Sequence, residues 1–135
     1  MSAAVSGVSE LVLEVADLEE SERFYTGALG LTVVARPDNR SRIWLMAGEG
    51  TRIGLWLPQE GLAGARGGAH VHFALHISDS DFDDAVDRIR SFGLEPQIKT
   101  HRPGFRRKNS RSAYVEDPDG NCVELWTRDV ARYLA

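Results

Sequence analysis

The chain carries one pattern twice. Glu10-Leu11-Val12-Leu13-Glu14-Val15-Ala16-Asp17 returns as His72-Phe73-Ala74-Leu75-His76-Ile77-Ser78-Asp79, at a constant offset of 62 (10 to 72, 17 to 79). Each copy is an alternating run, then an acidic start, then a helical stretch closing on Gly30 or Gly93. A fixed internal period implies repeated structural units, here two of roughly 60 residues. The same offset superimposes Glu10 on His72, two polar residues at equivalent positions.

The first copy can be read residue by residue. Leu11, Leu13 and Val15 share one face of an alternating run, while Glu10, Val12 and Glu14 share the other. A period of two denotes a half-buried strand. Asp17 can cap a following helix, with Glu20 three residues on as in a capping box. That helix buries Phe24, Tyr25 and Ala28, and Gly30 ends it. Leu31 to Ala35 is a β-prone run and Arg36 to Ser41 a polar loop. Arg42 to Met46 and Ile53 to Leu57 pair as a hairpin, stopped by Pro58.

The second copy follows a stretch rich in glycine and alanine. His70 to Ile77 alternates, with Val71, Phe73, Leu75 and Ile77 on one face and His70, His72, Ala74 and His76 on the other. Asp79 to Phe92 is helical, with Phe82, Val86, Ile89 and Phe92 as its apolar stripe. Leu94 to Ile98 is a short strand. Arg111 to Val115 and Asn121 to Thr127 form the last hairpin, turning at Asp117-Pro118-Asp119-Gly120. Each module is thus strand, helix and three strands. The expected fold is α+β: two tandem βαβββ modules forming a curved, cup-like mixed sheet with helices on the outside. Module one spans about 8–58, a linker 59–69, module two about 70–127 and a C-terminal tail 128–135, all within one domain.

The 135 residues fit one domain of ordinary composition, 42% hydrophobic and 27% charged. No apolar run approaches a membrane span, and residues 1–7 lack the basic and apolar regions of a signal peptide. A single cysteine, Cys122, rules out an internal disulfide and fits a cytoplasmic location. A net charge of −4 argues against general nucleic-acid binding. Lys99, Arg102, Arg106, Arg107, Lys108 and Arg111 nevertheless follow one another with no acid between. This stretch is either a solvated loop or one that draws an anionic small molecule towards a pocket.

Alternation selects the residues that line the faces opposite the helices. These are Glu10, Val12 and Glu14 from the first strand, and His70, His72, Ala74 and His76 from the first strand of module two. Cys122, Glu124 and Trp126 come from the last strand, and Ser112 and Tyr114 share their parity on its neighbour. Glu10, His72 and Glu124 can therefore converge. One nitrogen and two carboxylates suit Mn²⁺, Fe²⁺, Ni²⁺ or Zn²⁺ and leave positions open for substrate. The plainer reading makes them polar wall residues. Cys122 has nothing adjacent to lower its thiol pKa and reads as an inert small residue.

These residues resemble the vicinal oxygen chelate superfamily, the group of glyoxalase I, fosfomycin-resistance enzymes, extradiol dioxygenases and bleomycin-binding proteins. Leu13, Val15, Asp17-Leu18, Ser21, Phe24-Tyr25 and Leu29-Gly30-Leu31 are similar to its opening motif. Asp117-Pro118-Asp119-Gly120-Asn121 and Val123-Glu124-Leu125 are similar to its closing one. The resemblance implies metal ligands at Glu10, His72 and Glu124, although the first is usually His or Gln. Glyoxalase-like members add a fourth ligand where this chain has Gly54. Arg111-Ser112-Ala113-Tyr114 resembles the segment that contacts the phosphonate in the fosfomycin-resistance group. The family also implies a homodimer.

Two functions follow as expectations. In the first, a divalent ion held by Glu10, His72 and Glu124 acts as a Lewis acid on a small substrate that chelates it through adjacent oxygens. Glu14, Tyr114 or His76 moves a proton, and Arg111 with Ser112 holds an anionic group. The reaction is isomerisation, lyase chemistry, epoxide opening or ring cleavage. In the second, the chain is a metal-free binding protein whose Trp44, Trp56, Trp126, Phe73 or Phe105 stack on a flat ligand.

Overall fold

The computed structural model describes residues 4–37, 41–58, 70–102 and 109–128. The linker at 59–69, the tail from 129, and Phe105, Arg106, Arg107 and Lys108 of the basic stretch lie outside the described residues. The chain divides into two compact units, Met1–Gly64 and Ala65–Ala135. Both are built the same way, and the class is α+β with tandem modules.

Unit one runs β1 (Glu10–Glu14), α1 (Leu18–Arg23), a π-helical turn (Phe24–Ala28), β2 (Thr32–Ala35), β3 (Arg42–Ala47) and β4 (Thr51–Trp56). Its sheet has the order β1-β4-β3-β2. β1 lies parallel to β4, which requires a crossover, and the other pairs are antiparallel. Asp17 caps α1 by accepting from Glu20 N at 3.1 Å. The π-helical turn widens the helix so that two consecutive aromatics both face inward. Phe24 and Tyr25 are buried, edge to face at 4.9 Å. Leu13, Ile43, Leu45, Ile53 and Leu55 are buried with them. Their register across the ladders puts all five on one sheet face.

Unit two repeats the plan with β5 (His72–His76), α2 (Asp79–Phe92), β6 (Gln97–His101), β7 (Ser110–Glu116) and β8 (Cys122–Trp126), in the order β5-β8-β7-β6. α2 is capped by the Ser78 side chain and closed by Gly93 at φ 105°. Phe82, Val86 and Ile89 are buried, whereas Phe92 is exposed, contrary to the stripe read from the sequence. At about 100° per residue the inward position after 82, 86 and 89 is 93, which is glycine, and Phe92 is turned about a quarter of the circumference away.

A second departure concerns β6, which starts at Gln97 rather than Leu94. Leu94 N is committed to Ile89 O as part of the helix end. Pro96 has no N–H to give a ladder. The strand therefore begins later and extends to His101, into the stretch read as a basic loop.

The turn before β8 is fixed by its own side chains. Asp117 Oδ1 accepts from Asp119 N at 2.9 Å and Asn121 N at 2.8 Å, and its Oδ2 accepts from Asn121 Nδ2 at 2.9 Å. Gly120 takes φ 84°, which disfavours any side chain there. Asn121 Oδ1 accepts from Val71 N at 3.0 Å, which ties the turn to the start of β5. No helix among the described residues is long and apolar enough to cross a membrane.

Candidate functional site

The face of the unit-two sheet opposite its apolar core is polar and connected. Strand register brings Ala74 beside Glu124, Tyr114 beside Glu124, and Ser112 between Trp126 and Lys99. Glu124 is the centre, a carboxylate with only 7% of its surface exposed. A buried carboxylate must be paired or hydrogen-bonded, and both oxygens here are. Oε1 lies 3.0 Å from His72 Nε2, and Oε2 accepts from Ser112 Oγ at 2.6 Å. Ser112, itself fully buried, is in turn 2.9 Å from His101 Nε2. Trp126 packs edge to face on His101 at 6.2 Å and donates from Nε1 to Ser110 Oγ at 3.1 Å.

Tyr114 borders this chain, its ring 6.0 Å from that of His72 and 5.4 Å from Lys99 Nζ. Burial pushes its phenol above the ordinary range, opposed by a hydrogen bond with Ser112 and reinforced by Glu124. The phenol is thus neutral at pH 7 and able to donate. An unfolded tyrosine ionises near pH 10. Stability from this group is full below that pH and is lost as pH rises through the higher folded value. A near-ultraviolet titration of the native protein, minus that of Tyr114→Phe, should show a phenolate midpoint above that of free tyrosine; a midpoint below it would contradict the geometry. Burial also raises the Cys122 thiol, with Glu124 and Glu116 adding to the shift, in keeping with an inert residue.

The equivalent face of unit one has diverged. Gly54 occupies the place of Glu124, 70 residues earlier (124 − 54), and Trp44 that of Tyr114 (114 − 44). A Cβ on Gly54 would lie 2.6 Å from Trp56 Nε1 and 3.3 Å from Trp44 Nε1, so the two indoles fill the space a side chain would need. The rings meet edge to face at 6.1 Å, and the Arg42 guanidinium lies over both at 5.6 and 4.9 Å. Trp56 Nε1 is buried without a hydrogen-bond partner among the described residues. Glu10 Oε1 accepts from Trp44 Nε1 at 2.6 Å and Arg52 Nε at 2.8 Å.

The other expected site residues fall as follows. Glu14 is exposed at the end of β1. His76 Nδ1 is 3.0 Å from the Arg128 carbonyl, at the far end of β5 from His72. Arg111, expected to hold an anionic group beside Ser112, faces the helix instead. Its guanidinium lies 4.3 Å over Phe82, donates to Asp83 at 2.9 Å and to Asp79 at 3.2 Å. Residues 111 and 112 are adjacent on β7 and so point to opposite faces. A strand over Leu94–Ile98 stops short of His101, which the structure places at the end of β6. Its parity with Ser112 would have shown it once the strand was in phase. Among the described residues no group of three or more His, Cys, Asp or Glu side chains is gathered to hold an ion.

Comparison with known proteins defines the class. The family model for the glyoxalase/bleomycin resistance protein/dioxygenase superfamily matches residues 7–125, and the chain belongs to that superfamily. It is 28% identical over 122 residues to a probable lactoylglutathione lyase of Vibrio cholerae serotype O1, covering 84% of this chain and 85% of that one. It is 27% identical over 128 residues to the metallothiol transferase FosB of Staphylococcus haemolyticus, covering 91% and 84%. The crystal structure of a lactoylglutathione lyase from Agrobacterium tumefaciens superimposes with a TM-score of 0.71 at 28% identity, covering 91% of this chain and 94% of that one.

Proposed function

We propose that the chain is a metal-dependent enzyme of the glyoxalase/dioxygenase type, acting on a small anionic substrate that chelates a divalent ion through adjacent oxygens. The observation that carries this is the His72–Glu124 pair. Its nitrogen and oxygen, 3.0 Å apart, are close enough to hold one divalent ion between them were it bound. Glu124 is presented by Ser112, as ligating carboxylates commonly are by a hydrogen bond from behind. Glu10, which holds in unit one the repeat position of His72, is engaged within its own unit, with Oε1 accepting from Trp44 and Arg52. Such a donor set suits Mn²⁺, Fe²⁺, Ni²⁺ or Zn²⁺. When bound, the ion supplies Lewis acidity.

The remaining roles belong to the protein. Tyr114, kept protonated by burial, donates a hydrogen bond or proton to the reacting group. Lys99, on the same face, supplies the positive charge assigned from the sequence to Arg111. Ser112 holds Glu124 rather than the substrate. The names of the relatives, a lyase and a metallothiol transferase, support an enzyme of this type.

A second reading rests on unit one. Its two indoles and Arg42 form an aromatic and cationic surface that fits a flat ligand, as in a metal-free binding protein. One titration separates the two. Chelator-treated protein made without a metal-binding tag should gain thermal stability with Mn²⁺, Ni²⁺ or Zn²⁺, and calorimetry should give one site per chain. Silence with every ion, together with tryptophan quenching by planar anions, would replace the enzyme with the binding protein.

A further inference from the structure

We infer that His101 is a positioning residue for the metal-binding carboxylate, acting through Ser112. This rests on the reading of Glu124 as a ligand and adds a residue that neither the repeat nor the closing motif identifies. The inference begins with proton counting. Ser112 Oγ has two partners within 3 Å, Glu124 Oε2 at 2.6 Å and His101 Nε2 at 2.9 Å, with the Tyr114 phenol as a further hydrogen-bonding neighbour, and a single proton to give. An ionised carboxylate only accepts, and the shorter contact has the length of a charge-assisted bond. The Ser112 proton therefore goes to Glu124. His101 must then donate from Nε2, and the relay has one direction: His101 N–H to Ser112 O–H to Glu124 Oε2.

This polarity has a consequence for the carboxylate. With Oε2 occupied from behind, Oε1 alone remains on the His72 side, so Glu124 offers an ion one oxygen in a fixed orientation. Without His101 the buried hydroxyl loses the hydrogen bond donated by the imidazole and is held less firmly. The carboxylate then keeps its charge but loses the direction in which it is held. His101 is itself fixed by the β6–β7 register, which pairs it with Ser110, and by the edge of Trp126 at 6.2 Å. Ser110 accepts from Trp126 Nε1 at 3.1 Å, so the packing surface of the imidazole is anchored to the same strand.

The test compares wild type, His101→Leu, His101→Gln, Ser112→Ala and the double variant by calorimetric titration with Mn²⁺ and by the visible spectrum of the Co²⁺-loaded protein. Apo melting temperatures are measured alongside. His101→Leu should weaken Mn²⁺ binding about 10- to 100-fold, the range found for outer ligand partners. It should also change the Co²⁺ spectrum while the apo melting temperature moves little. Glutamine, whose amide nitrogen can stand near the imidazole Nε2, should restore most of the affinity. Adding His101→Leu to Ser112→Ala should cost nothing further, because both act on one path. Wild-type affinity in His101→Leu, or full additivity of the two losses, overturns the relay and leaves the ion site intact. Wild-type protein that binds no ion removes the site and the relay together.

Discussion

Replacing Glu124 by glutamine should remove the ion-dependent gain in thermal stability while leaving the folded protein in place. The two side chains have the same shape, but the amide lacks the charge that attracts a cation. It also presents an NH₂ group either to Ser112 or to His72, where the carboxylate offered acceptors at 2.6 and 3.0 Å. An ion present at about 100 times its dissociation constant stabilises the native state by about 2.7 kcal/mol. In a domain of this size that is a shift of several degrees. In the variant the same ion concentration should give almost none. The measurement is a pair of melting curves, with and without Mn²⁺ or Ni²⁺, for each protein. An undiminished shift in Glu124→Gln would place the ion elsewhere, and the His72–Glu124 pair would then be a polar wall.

The second large effect is on stability. Phe82→Ala should cost about 3–5 kcal/mol, as truncation of a fully buried aromatic does when the space cannot close. Phe82 is 1% exposed on the inner face of α2, and the Arg111 guanidinium lies 4.3 Å over its ring. The substitution therefore opens a cavity and strips the stacking surface from an arginine that also joins Asp79 and Asp83 of the same helix. Urea denaturation followed by circular dichroism should show the midpoint falling with little change in slope. Phe82→Leu should recover more than half of the loss. A cost below about 1 kcal/mol would mean that α2 does not pack as described.

The contrast between Arg111 and His101 shows where the sequence was informative. Alternation is a strong constraint, and wherever a strand was correctly phased it assigned faces correctly. Glu124, Trp126, Ser112, Tyr114 and His72 all share one face, as their parity required. Parity likewise sends Arg111 the other way from Ser112, against what a resemblance to a phosphonate-contacting segment implies. β6 failed for a different reason. The helix end consumes Leu94, and Pro96 delays the ladder, so four polar residues at 99–102 that looked like loop include the last three of a strand. Nothing in hydrophobic periodicity marks such a strand, because nearly all of it is exposed. Similarly, the widening of the first helix after Arg23 and the indoles over Gly54 depend on packing that residue spacing does not encode.

The parallel pairing of β5 with β8 also sets an order of events. His72 and Glu124 are 52 residues apart in sequence, and among the described residues β5 stands at the margin of its sheet with β8 as its one ladder partner. A growing chain releases the imidazole early and the carboxylate late. Until Trp126 has emerged, β5 has no ladder to join, and contacts across such distances form slowly. During translation the segment 70–76, with His70, His72 and His76, therefore waits for the strand it pairs with, its side chains open to solvent until the carboxylate arrives.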